Sequence, residues 1–291
     1  MNGDGLQYAV VTPVKDEQDN LDRLAASLES QTVAPLAWVI VDTGSTDDTV
    51  AIAERLRERL PFVRTMSIDE SVVPSRGGPV VRAFVTGAAS LDVEPDVVIK
   101  LDADLSFKPD YFERLLTAFA ADPGLGITSG ICTELRNGKW TPLFGTRSNV
   151  WGASRAYRWT CFQEVLPLEE RKGWDEIDAI KAQIRGWRVG TLVDVTFRHH
   201  RLEGSRDGSS QAIWFGEGVA AHYMGYRFSY LLARSAWRAR ENPAAVAMIG
   251  GFVRAALRRE ARCSDPEVRA FLRTEQGLWR LPLRLRESMG R

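Results

Sequence analysis

The chain has 291 residues, 44% of them hydrophobic and 26% charged, so its composition predicts a globular protein with a sizeable core and excludes a disordered or fibrous chain. Its 38 basic and 38 acidic side chains balance, which gives no reason to expect a nucleic-acid partner. The three cysteines lie far apart without CxxC spacing, so neither a disulfide framework nor a zinc site is predicted.

The first half of the chain alternates short β-branched runs with amphipathic segments. This alternation is typical of a mostly parallel sheet covered by helices. Helical periodicity is seen in residues 21–28 and 50–60, and again after Pro109. Strands are predicted at Tyr8 to Thr12, Ala37 to Asp42, Phe62 to Ser67, Val97 to Leu101 and Gly126 to Ile131.

The second half is less regular at first and then helical. Residues 137–171 are rich in Trp, Arg and Gly and predict loops with short strands. A helix is predicted from about Asp175 to Arg185, where Gly186 ends it, and one or two strands follow over residues 187–197. From about Ser210 onward the pattern is helical, with interruptions at Pro243, Pro266 and Pro282.

These patterns predict one α/β domain over residues 1–209 and a helical C-terminal extension over 210–291. Residues 227–291 hold 14 arginines, no lysine and 6 carboxylates. Two interpretations of this excess are open: solvated helix faces, or contact with an anionic membrane or acceptor.

Membrane-spanning and secretory segments are not expected. Residues 1–8 lack the basic start and apolar core of a secretory signal. The apolar run from Ala244 to Val253 is much shorter than the roughly 20 residues that a spanning helix needs. We therefore expect a cytoplasmic protein, either soluble or peripheral at the inner face of the membrane.

Acidic residues follow three of the predicted strands. The first strand leads into Lys15-Asp16-Glu17, the second ends at Asp42, and the fourth leads into Asp102-Ala103-Asp104. Ligands of an open parallel sheet bind at the carboxyl ends of its strands, so we expect these acids to share one rim. A divalent cation (Mn²⁺ or Mg²⁺) that neutralises a diphosphate needs such carboxylates, and Asp104 is the predicted metal ligand.

The other acids have two interpretations each. Asp42 is expected to accept hydrogen bonds from a base or ribose, whereas Asp47 or Asp48 is expected to cap the following helix. Asp175 and Glu176 open a predicted helix, where they either complement its dipole or supply a general base that deprotonates an acceptor hydroxyl.

Histidine, arginine and aromatic residues complete the candidate site. Of the adjacent His199 and His200, one is expected to be an ordinary imidazole and the other, assigned as His200, to complete the metal site or bind diphosphate. Arg76, Gly77 and Arg82 are candidate donor contacts. The aromatics Trp151, Tyr157, Trp159 and Trp174 predict either a sugar platform for the acceptor or core packing.

These segments resemble the family 2 glycosyltransferases, inverting enzymes with the GT-A fold. Tyr8 to Glu17 resembles the family's opening strand and nucleotide loop, Val41 to Thr49 its base-binding motif, and Lys100 to Asp104 its metal motif. The spacing from Asp175 to the Gly186-Trp187-Arg188 turn resembles the acidic base motif, which favours Asp175 over Glu176. The nucleotide-sugar site predicted from these segments comprises Thr12, Pro13, Glu17, Asp42, Arg76, Gly77, Arg82, Asp102 and Ala103.

The resemblance implies transfer of a sugar from a nucleotide-sugar donor, with UDP-sugar favoured, to a saccharide or lipid-linked acceptor. It also implies that residues 1–209 are the catalytic domain, with a nucleotide-binding half (1–104) and an acceptor half (105–209). Residues 199–226 look like the tail of bacterial members that build surface polysaccharides or glycolipids. A sugar-nucleotide pyrophosphorylase is disfavoured because residues 12–16 contain no glycine, and a dinucleotide dehydrogenase because GxGxxG is absent. A non-catalytic nucleotide-sugar-binding protein stays open as an alternative.

Overall fold

The computed structural model describes residues 5–68, 77–143, 150–201 and 209–277. The chain divides into two compact units, an α/β unit (residues 1–201) and a helical unit (residues 202–291). The functional assignment of a catalytic domain with nucleotide and acceptor halves stays a prediction.

Nine strands are found in the described part of the α/β unit. They are β1 (Tyr8–Val14), β2 (Ala37–Asp42), β3 (Val63–Ser67), β4 (Val97–Leu101), β5 (Leu105–Phe107), β6 (Leu125–Arg136), β7 (Lys139–Pro142), β8 (Ser154–Arg158) and β9 (Arg188–His199). The strands form one sheet in the order β3-β2-β1-β4-β8-β6-β9-β5, with β7 paired to β6. β1 to β4 run parallel, and β8 runs antiparallel to both β4 and β6. The mixed α/β class is as predicted.

Helices cover both faces of this sheet. They are α1 (Leu21–Glu29), α2 (Thr49–Arg59), α3 (Gly78–Ala89), α4 (Tyr111–Ala121), α5 (Trp159–Val165) and α6 (Trp174–Ile184). Alternate residues of β1 point to opposite sides: Tyr8 and Val10 pack with α1, α2 and α4, whereas Val11 packs with α3, α5 and α6.

The loop prediction for residues 137–171 is wrong where α5 forms. Three buried residues give only a brief helical period there, too short a pattern to recognise.

Helix α3 approaches the sheet closely at Gly87. A Cβ there would lie 2.6 Å from Val11 Cγ1 and 2.8 Å from Val41 Cγ2. Only glycine permits this spacing. The loop after β2 and the start of α3 are thereby held at the same end of the sheet.

The helical unit contains α7 (Ser210–Met224), α8 (Phe228–Ala239), a 3-10 turn (Pro243–Val246), α9 (Ala247–Leu257) and α10 (Pro266–Glu275). The predicted helical pattern and its breaks at Pro243 and Pro266 are confirmed, while Pro282 lies outside the described residues. None of the described helices is both long and apolar enough to cross a membrane.

Candidate functional site

The carboxyl ends of β1, β2 and β4 form one rim, where the predicted acids lie. Parallel pairing brings Val14 opposite Asp42, and β4 runs beside β1. Asp104 follows β4 and is buried, with a side chain only 6% exposed. A carboxylate buried this far needs charged or hydrogen-bonding partners.

Those partners come from the end of β9. His199 Nε2 lies 3.2 Å from Asp104 Oδ1, and Arg201 Nη1 lies 3.3 Å from Asp104 Oδ2. Arg201 also pairs with Glu17, its Nη1 and Nη2 donating to the two carboxylate oxygens at 2.9 and 2.8 Å. Asn20 Nδ2 donates to Glu17 Oε2 at 2.7 Å. We call Glu17, Asp104, His199 and Arg201 the rim cluster.

Charge within the rim cluster shifts the pKa of its members. Burial on its own raises the pKa of Asp104, but the imidazole of His199 at 3.2 Å and the positive charge of Arg201 outweigh it, so the pKa is lowered. The pKa of His199 is raised: burial opposes its charge, and the Asp104 carboxylate overcomes that effect. The hydrogen bond with Glu17 raises the pKa of Arg201. The cluster is thus a paired set of charges at the end of the sheet.

The side chain next to Asp104 is His199, and not the predicted His200. His200 donates its backbone N–H to the Asp104 carbonyl at 2.9 Å, while its Nε2 hydrogen-bonds Ser106 Oγ at 2.7 Å. Its ring stands edge-on to Trp140, with centroids 5.1 Å apart. Successive side chains of an extended segment point to opposite sides, so His199 and Arg201 share one side and His200 takes the other.

Asp102 is held by a lysine that the sequence motif did not single out as functional. Lys100, itself 4% exposed in its side chain, forms an ion pair with Asp102. Lys100 Nζ also donates to the Gly152 carbonyl at 2.9 Å. Ala103, between the two aspartates, is buried at 3% exposure. The Asp102-Ala103-Asp104 segment is therefore tied to the residues that precede β8.

That segment also contacts Asp175. A Cβ at Gly152 would lie 3.2 Å from Asp175 Oδ2, so only a residue without a side chain leaves the carboxylate undisturbed. Asp175 and Glu176 occupy the first turn of α6, as predicted. Trp174 begins this helix and is 8% exposed, with Lys100 Nζ 5.9 Å from its ring centroid. Lys100 and Gly152 therefore connect the Asp102-Ala103-Asp104 segment with the Asp175-Glu176 pair at the start of α6.

A buried ion pair fixes the start of α6. Arg155 is completely buried and donates from Nε to Asp178 Oδ2 at 3.0 Å and from Nη2 to the Asp175 carbonyl at 2.8 Å. Tyr157 hydrogen-bonds the same Asp178 carboxylate. Burial raises the pKa of Asp178 to about 6, although the charge of Arg155 opposes this shift. Sequence reasoning missed this cluster because charged residues are predicted to be exposed.

Asp42 lies beside a cavity of about 260 Å³ between the ends of β2, β3 and α2. Its carboxylate accepts the backbone N–H groups of Gly44 at 3.1 Å and Ser45 at 3.2 Å. Asp47 accepts the N–H of Thr49 at 3.0 Å just before α2, whereas the N-cap residue Asp48 makes no side-chain capping hydrogen bond, so the predicted cap is replaced by a turn at Asp47. The cavity is lined by Val14, Ile40, Asp42, Thr49, Val50, Ala53, Glu54, Thr65, Met66 and Ser67.

The other predicted donor contacts are distributed differently. Thr12 is completely buried, and its hydroxyl accepts the Trp38 indole N–H at 2.9 Å. Pro13 lies in β1 opposite Val41. Neither side chain belongs to the rim cluster, which Glu17 joins.

The predicted contacts on α3 lie at its start. Gly77 precedes the helix with φ of +85°, and a Cβ there would lie 3.0 Å from the Arg171 carbonyl. Arg82 on α3 donates to Glu170 at 2.7 Å. Arg76 lies outside the described residues.

The aromatic residues divide between the core and partial exposure. Tyr157 is completely buried and offers no face to a sugar, so of the two predicted alternatives core packing applies to it. Trp159 packs against the core on the α3 side of the sheet, and Trp151 is partly buried against the opposite core. Trp174 is buried as well, so packing accounts for most of its surface.

Comparison with known proteins identifies relatives. A family model described as Glycosyl transferase family 2 matches residues 9–160. The undecaprenyl-phosphate 4-deoxy-4-formamido-L-arabinose transferase of Pseudomonas syringae pv. syringae (strain B728a) is 29% identical over 210 residues, or 66% of this chain and 58% of the relative. The chain therefore spans less than two thirds of the length of that curated relative.

Solved structures share the fold. The mannosyltransferase PcManGT from Pyrobaculum calidifontis, in complex with GDP-Man and Mn²⁺, is 18% identical with a TM-score of 0.60, covering 98% of this chain and 84% of that one. S. aureus TarS in complex with UDP-GlcNAc is 19% identical with a TM-score of 0.56, covering 74% and 66%. At these identities the similarity establishes the fold alone, and it confirms the predicted GT-A fold.

Proposed function

Because the chain belongs to glycosyl transferase family 2, we propose that it transfers a sugar from a nucleotide-sugar donor to an acceptor hydroxyl with inversion at the anomeric carbon. The observation that carries this proposal is the rim cluster, which sets a buried carboxylate, an imidazole and a guanidinium at the carboxyl end of a parallel sheet. A diphosphate binds where such cations and a metal-binding acid converge.

The donor nucleotide is assigned to the β1–β2 side of the rim. The cavity of about 260 Å³ suits a base or ribose, and Asp42 is one of the residues that line it. UDP is the favoured nucleotide, in keeping with the family resemblance. Asp102, Gly77 and Arg82 are proposed as further donor contacts, together with Arg76 from the undescribed segment.

The rim cluster also fits a divalent metal. Asp104 and His199 offer a carboxylate oxygen and an imidazole nitrogen 3.2 Å apart, and Mn²⁺ accepts both donor types. Asp104 and His199 are the proposed ligands, and His199 replaces His200 in this role. When bound, the metal neutralises negative charge on the diphosphate. Arg201 adds a second, permanent positive charge on the same side.

Asp175 is the proposed general base, with Glu176 as its neighbour in the same turn. Asp175 takes the proton of the acceptor hydroxyl while that oxygen forms a bond to the anomeric carbon. The bond from this carbon to the diphosphate oxygen breaks, and the nucleoside diphosphate leaves with the electron pair. One displacement of this kind inverts the configuration. Arg155 and Gly152 hold Asp175 in position for it.

A saccharide or lipid-linked acceptor is proposed. The name of the Pseudomonas relative specifies undecaprenyl phosphate, which supports the lipid-linked class. Trp151 adjoins Gly152 and Trp174 adjoins Asp175, and these two tryptophans are the proposed acceptor contacts.

The test is turnover of UDP-sugars with native protein and with Asp175→Asn. We expect the native protein to release UDP, and Asp175→Asn to lose at least about 100-fold in turnover while it binds UDP normally, because the substitution removes only the proton acceptor. UDP binding without turnover by the native protein, on every acceptor class supplied, favours the alternative of a non-catalytic nucleotide-sugar-binding protein.

A further inference from the structure

Helix α9 and the 3-10 turn before it present an apolar face to solvent. Val246, Gly250, Val253 and Leu257 recur at intervals of four, three and four residues, so they form one stripe along the helix. Val246 is 56% exposed, Val253 is 38% exposed and Leu257 is 80% exposed. We call these four residues the α9 stripe.

The buried side of α9 fixes this orientation. Met248 and Ala255 are completely buried. A Cβ at Gly251 would lie 2.0 Å from the Phe215 carbonyl oxygen on α7, and a Cβ at Gly218 on α7 would lie 1.9 Å from the Met248 carbonyl oxygen. Two glycines therefore lock the backbones of α7 and α9 together, so α9 cannot rotate to bury its stripe without losing this packing.

An outward face of this kind is unusual, because a surface helix normally carries polar residues there. Arg254 is the only charged residue of α9. An apolar groove of about 500 Å³ opens beside the stripe, lined by Gln211 and by residues between Pro243 and Gly250. Exposed apolar surface that is continuous in this way marks an interaction site.

Charge at the edge of the stripe identifies the kind of partner. Arg254, Arg258 and Arg259 are exposed, and residues 242–259 contain no carboxylate. Arg254 lies over the Phe215 ring, 5.5 Å from its centroid, which keeps the guanidinium beside the helix. A short helix with an apolar face bordered by arginines is typical of segments that lie in the headgroup region of an anionic membrane.

A second copy of the chain fits this face less well. Two-fold association would oppose identical surfaces, so the arginine borders of both copies would approach each other without carboxylates between them. Lipid phosphates supply the missing negative charge, and acyl chains accept Val253 and Leu257.

We propose that the α9 stripe, with Arg254 and Arg258 at its border, is a docking surface for an anionic lipid membrane. The surface binds by inserting the exposed valine and leucine side chains into the headgroup boundary while the arginines pair with lipid phosphates. This inference is independent of the proposed transfer reaction, because lipid binding is measured without donor or acceptor.

Flotation of the full chain tests it, using vesicles of phosphatidylcholine alone and vesicles that also contain phosphatidylglycerol. We expect the native protein to float with the anionic vesicles and to stay unbound with the neutral ones. Val253→Glu/Leu257→Glu removes flotation, since carboxylates cannot enter the anionic boundary. Arg254→Gln/Arg258→Gln weakens partitioning by about fivefold for each arginine removed.

Matched controls keep the test independent of folding. Val93→Glu changes a valine of the α/β unit that is 49% exposed, and Arg55→Gln/Arg57→Gln removes two exposed arginines of α2. Both controls should float as the native protein does, and circular dichroism should be unchanged in all variants. The proposal is overturned if the native protein does not float with anionic vesicles, or if the Val253→Glu/Leu257→Glu variant still does. It is also overturned if the native protein is a dimer that binds no vesicles and the Val253→Glu/Leu257→Glu variant is a monomer, because the stripe is then a dimer interface.

Discussion

Arg201 forms a bidentate ion pair with the buried Glu17 carboxylate, although the two residues are 184 positions apart in sequence. Its Nη1 donates to Oε1 at 2.9 Å and its Nη2 donates to Oε2 at 2.8 Å. The same guanidinium reaches Asp104 at 3.3 Å. Arg201 thus joins the loop after β1 to the metal motif after β4, and its charge lies where a diphosphate is expected to bind.

Replacing both partners of this pair should separate its structural role from its binding role. Arg201→Gln removes the cation that pairs with the buried Glu17 and should lower the free energy of unfolding by about 3 kcal/mol. Glu17→Gln/Arg201→Gln should recover much of that stability, because the Glu17 charge is removed together with its cation, while Asp104 keeps His199 beside it. UDP affinity should stay about tenfold weak in both variants, as measured by calorimetry. If the double variant regains native affinity, Arg201 does not contact the diphosphate.

The pair of His199 and Asp104 predicts a pH dependence in metal-free protein. The pKa of His199 is raised above its usual 6.5 and that of Asp104 is lowered below its usual 3.8. The His199 contribution to stability is therefore complete below pH 6.5 and lost as pH rises through the folded-state pKa, while the Asp104 contribution is lost as pH falls below 3.8.

Urea unfolding at a series of pH values measures this effect. His199→Gln should be less stable than the native protein between pH 3.8 and 6.5, and the difference should vanish at higher pH. His200→Gln is the matched control with the opposite sign: burial lowers the pKa of His200, so this variant should gain stability relative to the native protein as pH falls below 6.5. An equal difference for His199→Gln at every pH contradicts the assigned ion pair.

Gly152→Ala should impair turnover without affecting nucleotide binding. The added methyl group would lie 3.2 Å from Asp175 Oδ2 and displace the proposed base by a few tenths of an ångström. We expect kcat to fall roughly tenfold, since small misplacements of a reacting group are costly. Gly5→Ala, where nothing lies within 4 Å of the new Cβ, is the control. Native kcat in Gly152→Ala argues against Asp175 as the base.

Arg155→Met should destabilise the α/β unit by about 3–5 kcal/mol at neutral pH, because it leaves the buried Asp178 carboxyl without its cation. Burial raises the pKa of Asp178 to about 6 even with Arg155 present, and loss of the Arg155 charge raises it further, so acidification should protonate the carboxyl in the variant and reduce the deficit. Arg155→Met/Asp178→Asn should restore much of the stability in urea unfolding. If the loss of unfolding free energy in Arg155→Met is the same at every pH and is not reduced by Asp178→Asn, it comes from lost packing alone.

The parts of the fold that sequence predicts well are those encoded locally. β2 and β4 have the bounds that their apolar runs predict, and the acids that follow them reach one rim because parallel strands end at the same edge. Gly186, with φ of +88°, ends α6 as its position predicts.

Long-range pairing was not predictable in the same way. Choosing His199 over His200 requires the register of β9 against β5, which aligns His199 with Leu105. The alternation of side chains along β9 would have grouped His199 with Arg201 had the end of that strand been known. The partnership of Arg155 with Asp178 is set by tertiary burial, which overrides the usual exposure of charged residues.

Donor binding is tested by calorimetric titration of UDP, GDP and dTDP, with and without Mn²⁺, into native protein, Asp104→Ala and Asp92→Ala. Asp92 is an exposed aspartate that precedes β4, away from the carboxyl ends of the strands, so it serves as the control. We expect Mn²⁺-dependent binding of one nucleotide, UDP in the first place, that is lost in Asp104→Ala and kept in Asp92→Ala. Failure of all three nucleotides to bind the native protein, with or without Mn²⁺, would contradict this expectation.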